Sequence, residues 1–138
     1  MSSRRQLLEA LSYAQLGYWS LDAQTQTAHW SAEIYRIFGL EPETPAGLET
    51  LRRLLQPADA EMVLGSLEHS CATGVEHNLD YRIRRPDGTQ RWVTCRAKAV
   101  WDEAGKVSGL EGFLQDITER QEAAERQKSA EREARESA

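Results

Sequence analysis

The sequence contains no long hydrophobic run, and this absence limits where the chain can sit. A helix that crosses a bilayer needs about 20 consecutive apolar residues, and polar or charged residues interrupt every apolar stretch well before that length. The opening Met1-Ser2-Ser3-Arg4-Arg5 is not followed by the apolar core of a secretory signal. We therefore expect a cytoplasmic segment without direct membrane contact, although a parent protein can be anchored elsewhere.

Cysteine, net positive charge and catalytic motifs are also scarce. The only two cysteines, Cys71 and Cys95, lie too far apart for a CxxC motif, and we interpret both as small core residues. A formal net charge of -5 argues against nucleic acid as a main partner. His29, His69 and His77 match no metal-ligand spacing, and no phosphate-binding loop or nucleophile elbow occurs. The sequence therefore predicts neither a metal site nor an enzyme.

The last third of the chain shows an alternation with a period of two. Apolar and charged residues alternate over 79–84, and small apolar residues alternate with polar ones over 92–99. Pro86-Asp87-Gly88 between these runs is typical of a tight turn. A second turn at 102–105 precedes a third run whose alternate apolar residues share one face. Because this period fits strands and no helix, three antiparallel strands are predicted.

The rest of the chain is dominated by helical spacing. Leu7, Leu8 and Leu11 predict an amphipathic helix that Gly17 ends. Two short strands and then three helices are predicted after it, over 18–22, 27–30, 31–38, 48–55 and 58–73. The tail has no glycine or proline and consists mostly of strong helix formers, but its heptad seam is weakly apolar. We expect this tail helix to continue into a further domain.

Motifs spread along this element order indicate a family. They are Gly17-x-Trp19-x-Leu21-Asp22, Trp30-Ser31, Tyr35, Gly39, Tyr81-Arg82, Pro86-Asp87-Gly88, Arg91-Trp92, Gly105 and Asp116-Ile117-Thr118-Glu119-Arg120. With them the chain resembles a PAS domain with its C-terminal PAC motif. The resemblance implies an α+β fold, with a five-stranded antiparallel sheet of order 2-1-5-4-3 and short helices on one face. It divides the chain into an N-terminal helix, the PAS/PAC domain and a helical signalling linker, at 1–16, 17–118 and 119–138.

The resemblance also implies a function. It is that of a sensory input module in a larger signalling protein, such as a sensor histidine kinase or a diguanylate cyclase. The module would bind a small ligand, or dimerise, and so regulate a covalently linked C-terminal output domain. The alternative is a ligand-free module for dimerisation and protein–protein relay. Fold-level analogy fixes this class of function but not the ligand.

The residues argue against flavin and haem, two cofactors of the family. A flavin site of the light-oxygen-voltage type needs a reactive cysteine, and the corresponding stretch 51–56 has none. The sheet positions expected to bind the flavin edge hold the apolar Ile83, Val93 and Leu114. A haem site needs an inward histidine on the long helix, whereas His69 falls on its polar side.

A modest apolar pocket remains between sheet and helices in this reading. Its candidate residues are Tyr35, Leu67, Tyr81, Val93, Cys95 and Leu114. Trp30, Tyr35, Phe38 and Leu67 can equally fill the same space as ordinary core. Both a small apolar ligand and a full core therefore stay open.

Two surface features complete the prediction. Asp116, Ile117 and Thr118 lie where the last strand changes into the tail helix. Thr118 is expected to cap that helix. We expect all three residues to transmit a shift of the sheet to the helix. Trp92 falls on the outward face of the sheet and needs a cover. Leu7, Leu8 and Leu11 of the same chain or of a second copy can supply it, which predicts a homodimer.

Overall fold

The computed structural model describes residues 2–137, and within them all side chains except those of Ser2, Ser3, Leu8, Leu11, Ser12 and Tyr13. Five helices and five strands make up this part of the chain. In chain order they are α1 (Ser2–Tyr13), β1 (Leu16–Asp22), β2 (Ala28–Trp30), α2 (Ala32–Phe38), α3 (Leu48–Leu54), α4 (Pro57–Thr73), β3 (His77–Arg84), β4 (Gln90–Trp101), β5 (Val107–Asp116) and α5 (Thr118–Ser137).

The strands form one antiparallel sheet in the order β2-β1-β5-β4-β3, which confirms the predicted fold class and strand order. The register places Tyr81 opposite Val93, and Cys95 opposite Leu114. Because side chains alternate between faces along a strand, these apolar residues share one face of the sheet. That face is buried, and the polar residues between them point to the other side.

The core lies between this sheet face and the helices α2, α3 and α4. Helix α4 shows how the sequence positions it, because Ala60, Val63, Leu67 and Ser70 recur every three or four residues and all are buried. His69 lies on the other side of α4 and is exposed, as predicted. Helix α5 touches the domain only through its start, since Thr118 is buried and residues 122–137 are exposed.

The N-terminal helix ends earlier than the sequence predicts. Helix α1 stops at Tyr13, and Gly17 is part of β1. The chain changes direction at Gln15, which has a positive φ of 58°. A Cβ at Gly17 would lie 2.5 Å from Ile34 Cδ1, so the missing side chain lets α2 approach the strand. The prediction that Gly17 ends the helix is wrong, because this glycine serves packing.

None of the helices within residues 2–137 is both long and apolar enough to cross a membrane.

Candidate functional site

A small cavity lies between the buried face of the sheet and the helices, with a volume of about 40 Å³. This space accommodates about three water-sized atoms. Its lining is mostly aromatic and aliphatic, and it includes four of the six predicted pocket residues, Leu67, Tyr81, Cys95 and Leu114.

The other two predicted pocket residues lie elsewhere. Val93 is fully buried in the middle of the sheet and does not line the cavity. Tyr35 is half-buried beside the cavity, and its hydroxyl donates a hydrogen bond of 2.9 Å to the carbonyl oxygen of Thr44. Its ring packs edge-on against Trp30. Tyr35 therefore supports the cavity wall from behind, with its polar group already engaged.

His77 is the cavity residue that sequence reasoning missed. Only 1% of the residue is exposed, and its Nδ1 lies 2.8 Å from the hydroxyl oxygen of Ser66 on α4. Burial lowers the pKa of His77 to about 4, so the ring is neutral at pH 7. Extending the strand alternation backwards from Tyr81 through Leu79 would have placed His77 on the inward face.

Two buried nitrogens in the cavity wall have no hydrogen-bond partner among the described residues. They are Trp19 Nε1 and His77 Nε2. The two rings meet edge-on, with their centroids 6.3 Å apart. Leaving a buried polar group unpaired costs about 1–3 kcal/mol, which is why native structures avoid it. The cavity wall is therefore largely apolar, and we call the two unpaired nitrogens, Trp19 Nε1 and His77 Nε2, its polar spot.

Cys95 and Tyr81 lie next to this spot and are uncharged. Burial raises the pKa of the Cys95 thiol to about 12, although the neighbouring Trp19 and Tyr81 oppose the rise. Trp19 Nε1 nevertheless has no hydrogen-bond partner among the described residues, the Cys95 thiol included. Burial also raises the pKa of the Tyr81 hydroxyl. Neither group is an acid, a base or a reactive nucleophile near pH 7.

The exit of the sheet is fastened by a compact set of hydrogen bonds around Asp116. Arg91 Nε donates to one carboxylate oxygen at 2.7 Å, and the backbone N–H of Thr118 donates to the other at 2.9 Å. The Thr118 hydroxyl accepts from the backbone N–H of Trp92 at 2.9 Å. Burial raises the pKa of Asp116, but the bonds from Arg91 and Thr118 outweigh burial and hold it below its ordinary value.

These contacts change the role expected for Thr118. The sequence predicts that the Thr118 side chain caps α5. Its hydroxyl instead accepts the backbone N–H of Trp92 on β4 and donates to the Asp116 carboxylate. Asp116 is the residue that accepts an N–H from the first turn of α5. Ile117 lies between them, is buried, and donates its backbone N–H to the carbonyl of Trp92 at 2.8 Å.

Arg85 connects this joint to the helices above the sheet, a contact that no sequence pattern indicates. Its Nε donates to the carbonyl oxygen of Ile37 at 2.9 Å, and its Nη2 lies 3.9 Å from Asp116. Ile37 and Phe38 are the last two residues of α2, and Phe38 lines the cavity. A continuous set of contacts therefore runs from the cavity wall to the start of α5.

Of the residues predicted for a dimer interface, Trp92 and Leu7 are described with their side chains. Trp92 is half-buried and is covered by the Arg82 guanidinium of its own sheet, 5.6 Å from the ring centroid. The expectation that Leu7, Leu8 and Leu11 of the same chain or of a second copy cover the rest of Trp92 stays a prediction. Leu7 is exposed, and the side chains of Leu8 and Leu11 lie outside the described residues.

A partly exposed aromatic pair lies on the outer face of the sheet. Tyr18 and Phe113 pack edge-on with centroids 6.1 Å apart, and Phe113 keeps 41% of its surface exposed. Burial and the Glu111 carboxylate raise the pKa of Tyr18, while the nearby Arg4 on α1 opposes them. Tyr18 lies on β1, the strand that α1 contacts.

Comparison with known proteins now identifies the fold family. The family model described as the PAS fold matches residues 27–114. The chain belongs to the PAS family. PAS domains are sensory modules, and the expectation that this chain is not itself an enzyme agrees with membership.

Relatives place this PAS domain among signalling proteins. A blue-light-activated histidine kinase of Brucella anthropi is 36% identical over 121 residues, which are 88% of this chain and 24% of that protein. The corresponding kinase of Brucella ovis is 33% identical over the same length. The chain thus spans about a quarter of the length of the curated relatives it matches.

Solved structures of sensor domains agree with this assignment. A sensory box histidine kinase/response regulator from Burkholderia thailandensis has a TM-score of 0.75 and 28% identity, covering 96% of this chain and 98% of that one. The N-terminal domain of a diguanylate cyclase with a PAS/PAC sensor from Marinobacter aquaeolei has a TM-score of 0.71 and 26% identity, covering 77% and 98%. The chain is homologous to input domains of both kinds of protein.

The positions at which flavin-binding and haem-binding residues are expected do not fit these groups. Ile83 and Leu114, two sheet positions expected to bind the flavin edge, are buried and apolar, and α3 contains no cysteine. His69 points away from the core. A cavity of about 40 Å³ is far smaller than either group requires.

Proposed function

We propose that this PAS domain senses the occupancy of its internal cavity and passes it to α5, and so regulates a C-terminal output domain such as a histidine kinase. The proposal rests mainly on one observation. Arg85 joins the end of α2, beside the cavity, to Asp116, which holds the start of α5. A change at the cavity wall therefore has a physical route to the exit helix. The proposed location is the cytoplasm, where such an output domain would act.

Two residues of this route are already bound to a single carboxylate. Arg91 and Arg85 lie 2.7 Å and 3.9 Å from the same oxygen of Asp116. A small movement of α2 would change the distance from the Arg85 guanidinium to the Asp116 carboxylate relative to that of Arg91. The carboxylate would then move, and the N–H of Thr118 would move with it because it binds the other oxygen. Charge-assisted hydrogen bonds of this kind are strong and directional.

Replacing Asp116 tests this proposal in the full-length protein that contains the domain. For D116N we expect basal output to change by about tenfold, because a loss near 1.4 kcal/mol at the joint shifts a two-state equilibrium by that factor. Output is measured as autophosphorylation if the output domain is a kinase.

D102N is the matched control. Asp102 accepts the N–H groups of Ala104 and Lys106 in an exposed turn far from the joint. D102N should leave output unchanged. Equal output from D116N, D102N and the unmodified protein would contradict the proposal.

The alternative is a ligand-free module that relays a signal through dimerisation. The small cavity and the exposed aromatic pair of Tyr18 and Phe113 favour it. Native mass spectrometry of the purified chain separates the two functions, because a ligand-bound species supports the sensor and a ligand-free dimer supports the relay.

A further inference from the structure

The polar spot of the cavity points to the chemistry of a ligand. Trp19 Nε1 always carries a hydrogen, so it can only donate a hydrogen bond and needs an acceptor. Neither this nitrogen nor His77 Nε2 has a partner among the described residues, and both residues line the cavity. Trp19 and His77 are 8% and 1% exposed, so solvent outside the cavity does not serve them.

The hydrogen bond at Nδ1 of the His77 ring determines whether Nε2 donates or accepts a hydrogen bond. Nδ1 lies 2.8 Å from the Ser66 hydroxyl oxygen. If Nδ1 carries the hydrogen and donates it to Ser66, Nε2 is an acceptor; if Ser66 donates, Nε2 is a donor. An amide group suits the first tautomer through its N–H and the second through its carbonyl oxygen.

The surroundings select an uncharged ligand. No Asp, Glu, Lys or Arg occurs among the described residues that line the cavity. A charged ligand would lose its hydration there without gaining a counter-charge, which is costly in an apolar site. The remaining wall consists of rings and aliphatic side chains such as Trp30, Phe38 and Leu51.

We infer that the cavity takes a small neutral molecule with an amide group, whose carbonyl oxygen accepts a hydrogen bond from Trp19 Nε1. Its N–H pairs with His77 Nε2 in the first tautomer, and its carbonyl oxygen does so in the second. This inference rests on the proposed sensor function and names the ligand class of its cavity. The volume of about 40 Å³ limits the ligand to a few non-hydrogen atoms unless the helices separate.

Formamide is a suitable probe, because it has three non-hydrogen atoms, one carbonyl and one N–H₂ group. We expect saturable binding in the millimolar range, the most that so few atoms can give. The ¹H–¹⁵N signals of the Trp19 indole and the His77 ring should shift together. The signal of the exposed Trp101 should not move. Xenon, which enters apolar cavities, should compete with formamide for the same space.

The variants H77F and H69F distinguish loss of the His77 hydrogen bond from other effects of a His-to-Phe substitution on formamide binding. H77F removes one partner of the probe, and we expect about tenfold weaker formamide binding, whereas xenon binding should persist. H69F makes the same substitution on the exposed side of α4 and should leave formamide binding unchanged.

Equal formamide affinity in H77F and H69F would overturn the inference. Non-saturable shifts of all tryptophan signals in the unmodified chain would also overturn the inference, and this result does not depend on whether a variant folds. Ordered water would then occupy the cavity. These outcomes leave the D116N experiment untouched, so the ligand class and the sensor function fail separately.

Discussion

His77 is a histidine kept away from water at the end of a strand. Its ring is neutral at pH 7 because burial lowers its pKa to about 4, against an ordinary value of 6.5. The unfolded chain therefore binds a proton between these pH values that the folded chain does not. The contribution of the neutral His77 ring to the free energy of unfolding is complete above pH 6.5 and is lost as the pH falls towards 4.

We predict that lowering the pH from 7 to 5 reduces the free energy of unfolding by about 2 kcal/mol through His77 alone. Asp22, Asp87 and Asp116 have lowered pKa values and respond only below pH 3.8, outside this window. Urea unfolding at both pH values measures the change. H77L should lose this pH dependence and H69Q should keep it; the same dependence in H77L would contradict the prediction.

Single residues also show where sequence reasoning succeeded and where it did not. Tyr81, Cys95 and Leu114 were assigned to one face because strand alternation is a local pattern. The same alternation places His77 on the inward face, but the alternating run in the sequence is clear only from Leu79, two residues after the strand begins. Its bond to Ser66 on α4 is a tertiary contact that no local pattern shows. The main contact of Arg85 is also tertiary, since its partner Ile37 is 48 residues away in the sequence.

At the scale of elements, the packing of α2 on β1 depends on the absence of a side chain. Gly17 lies directly under Ile34, and a Cβ would stand 2.5 Å from Ile34 Cδ1 and 3.1 Å from its backbone nitrogen. The sequence shows a glycine between helix and strand, and this residue type can end a helix or permit the close approach of two backbones. Only the packed structure distinguishes the two roles.

We predict that G17A lowers the free energy of unfolding by about 1–3 kcal/mol, the usual cost of overpacking. G65A is the matched control, because Gly65 lies in α4 with open space where its Cβ would be. G65A should raise stability by about 0.5–1 kcal/mol, since glycine weakens a helix interior. Thermal unfolding of both variants measures the difference. A stable G17A protein would show that α2 can move away from β1 at little cost.

At the scale of the whole molecule, apolar side chains stay exposed on the sheet face opposite α2, α3 and α4, and on α1. Phe113 on β5 and Leu7 on α1 are 41% and 59% exposed. Aromatic residues on such a surface are frequent anchors of protein interfaces. The division into N-terminal helix, domain and linker stays a prediction, and so does the homodimer.

For the homodimer we predict that the chain sediments as a dimer at high micromolar concentration. F113S should raise the dissociation constant by about tenfold or more, as expected for an interface anchor. M62S is the control, because Met62 is 46% exposed on α4, on the helical side of the molecule. A monomer at that concentration, or an equal effect of both substitutions, would count against the dimer.

The attachment of α5 by its first turn alone has a geometric consequence. Its 20 residues make a rod about 30 Å long. If the bonds around Asp116 act as a pivot, a tilt of about 10° at that end displaces the far end by about 5 Å, one turn of helix. With such a pivot, displacements too small to alter the core would become movements as large as the pitch of the helix that carries them.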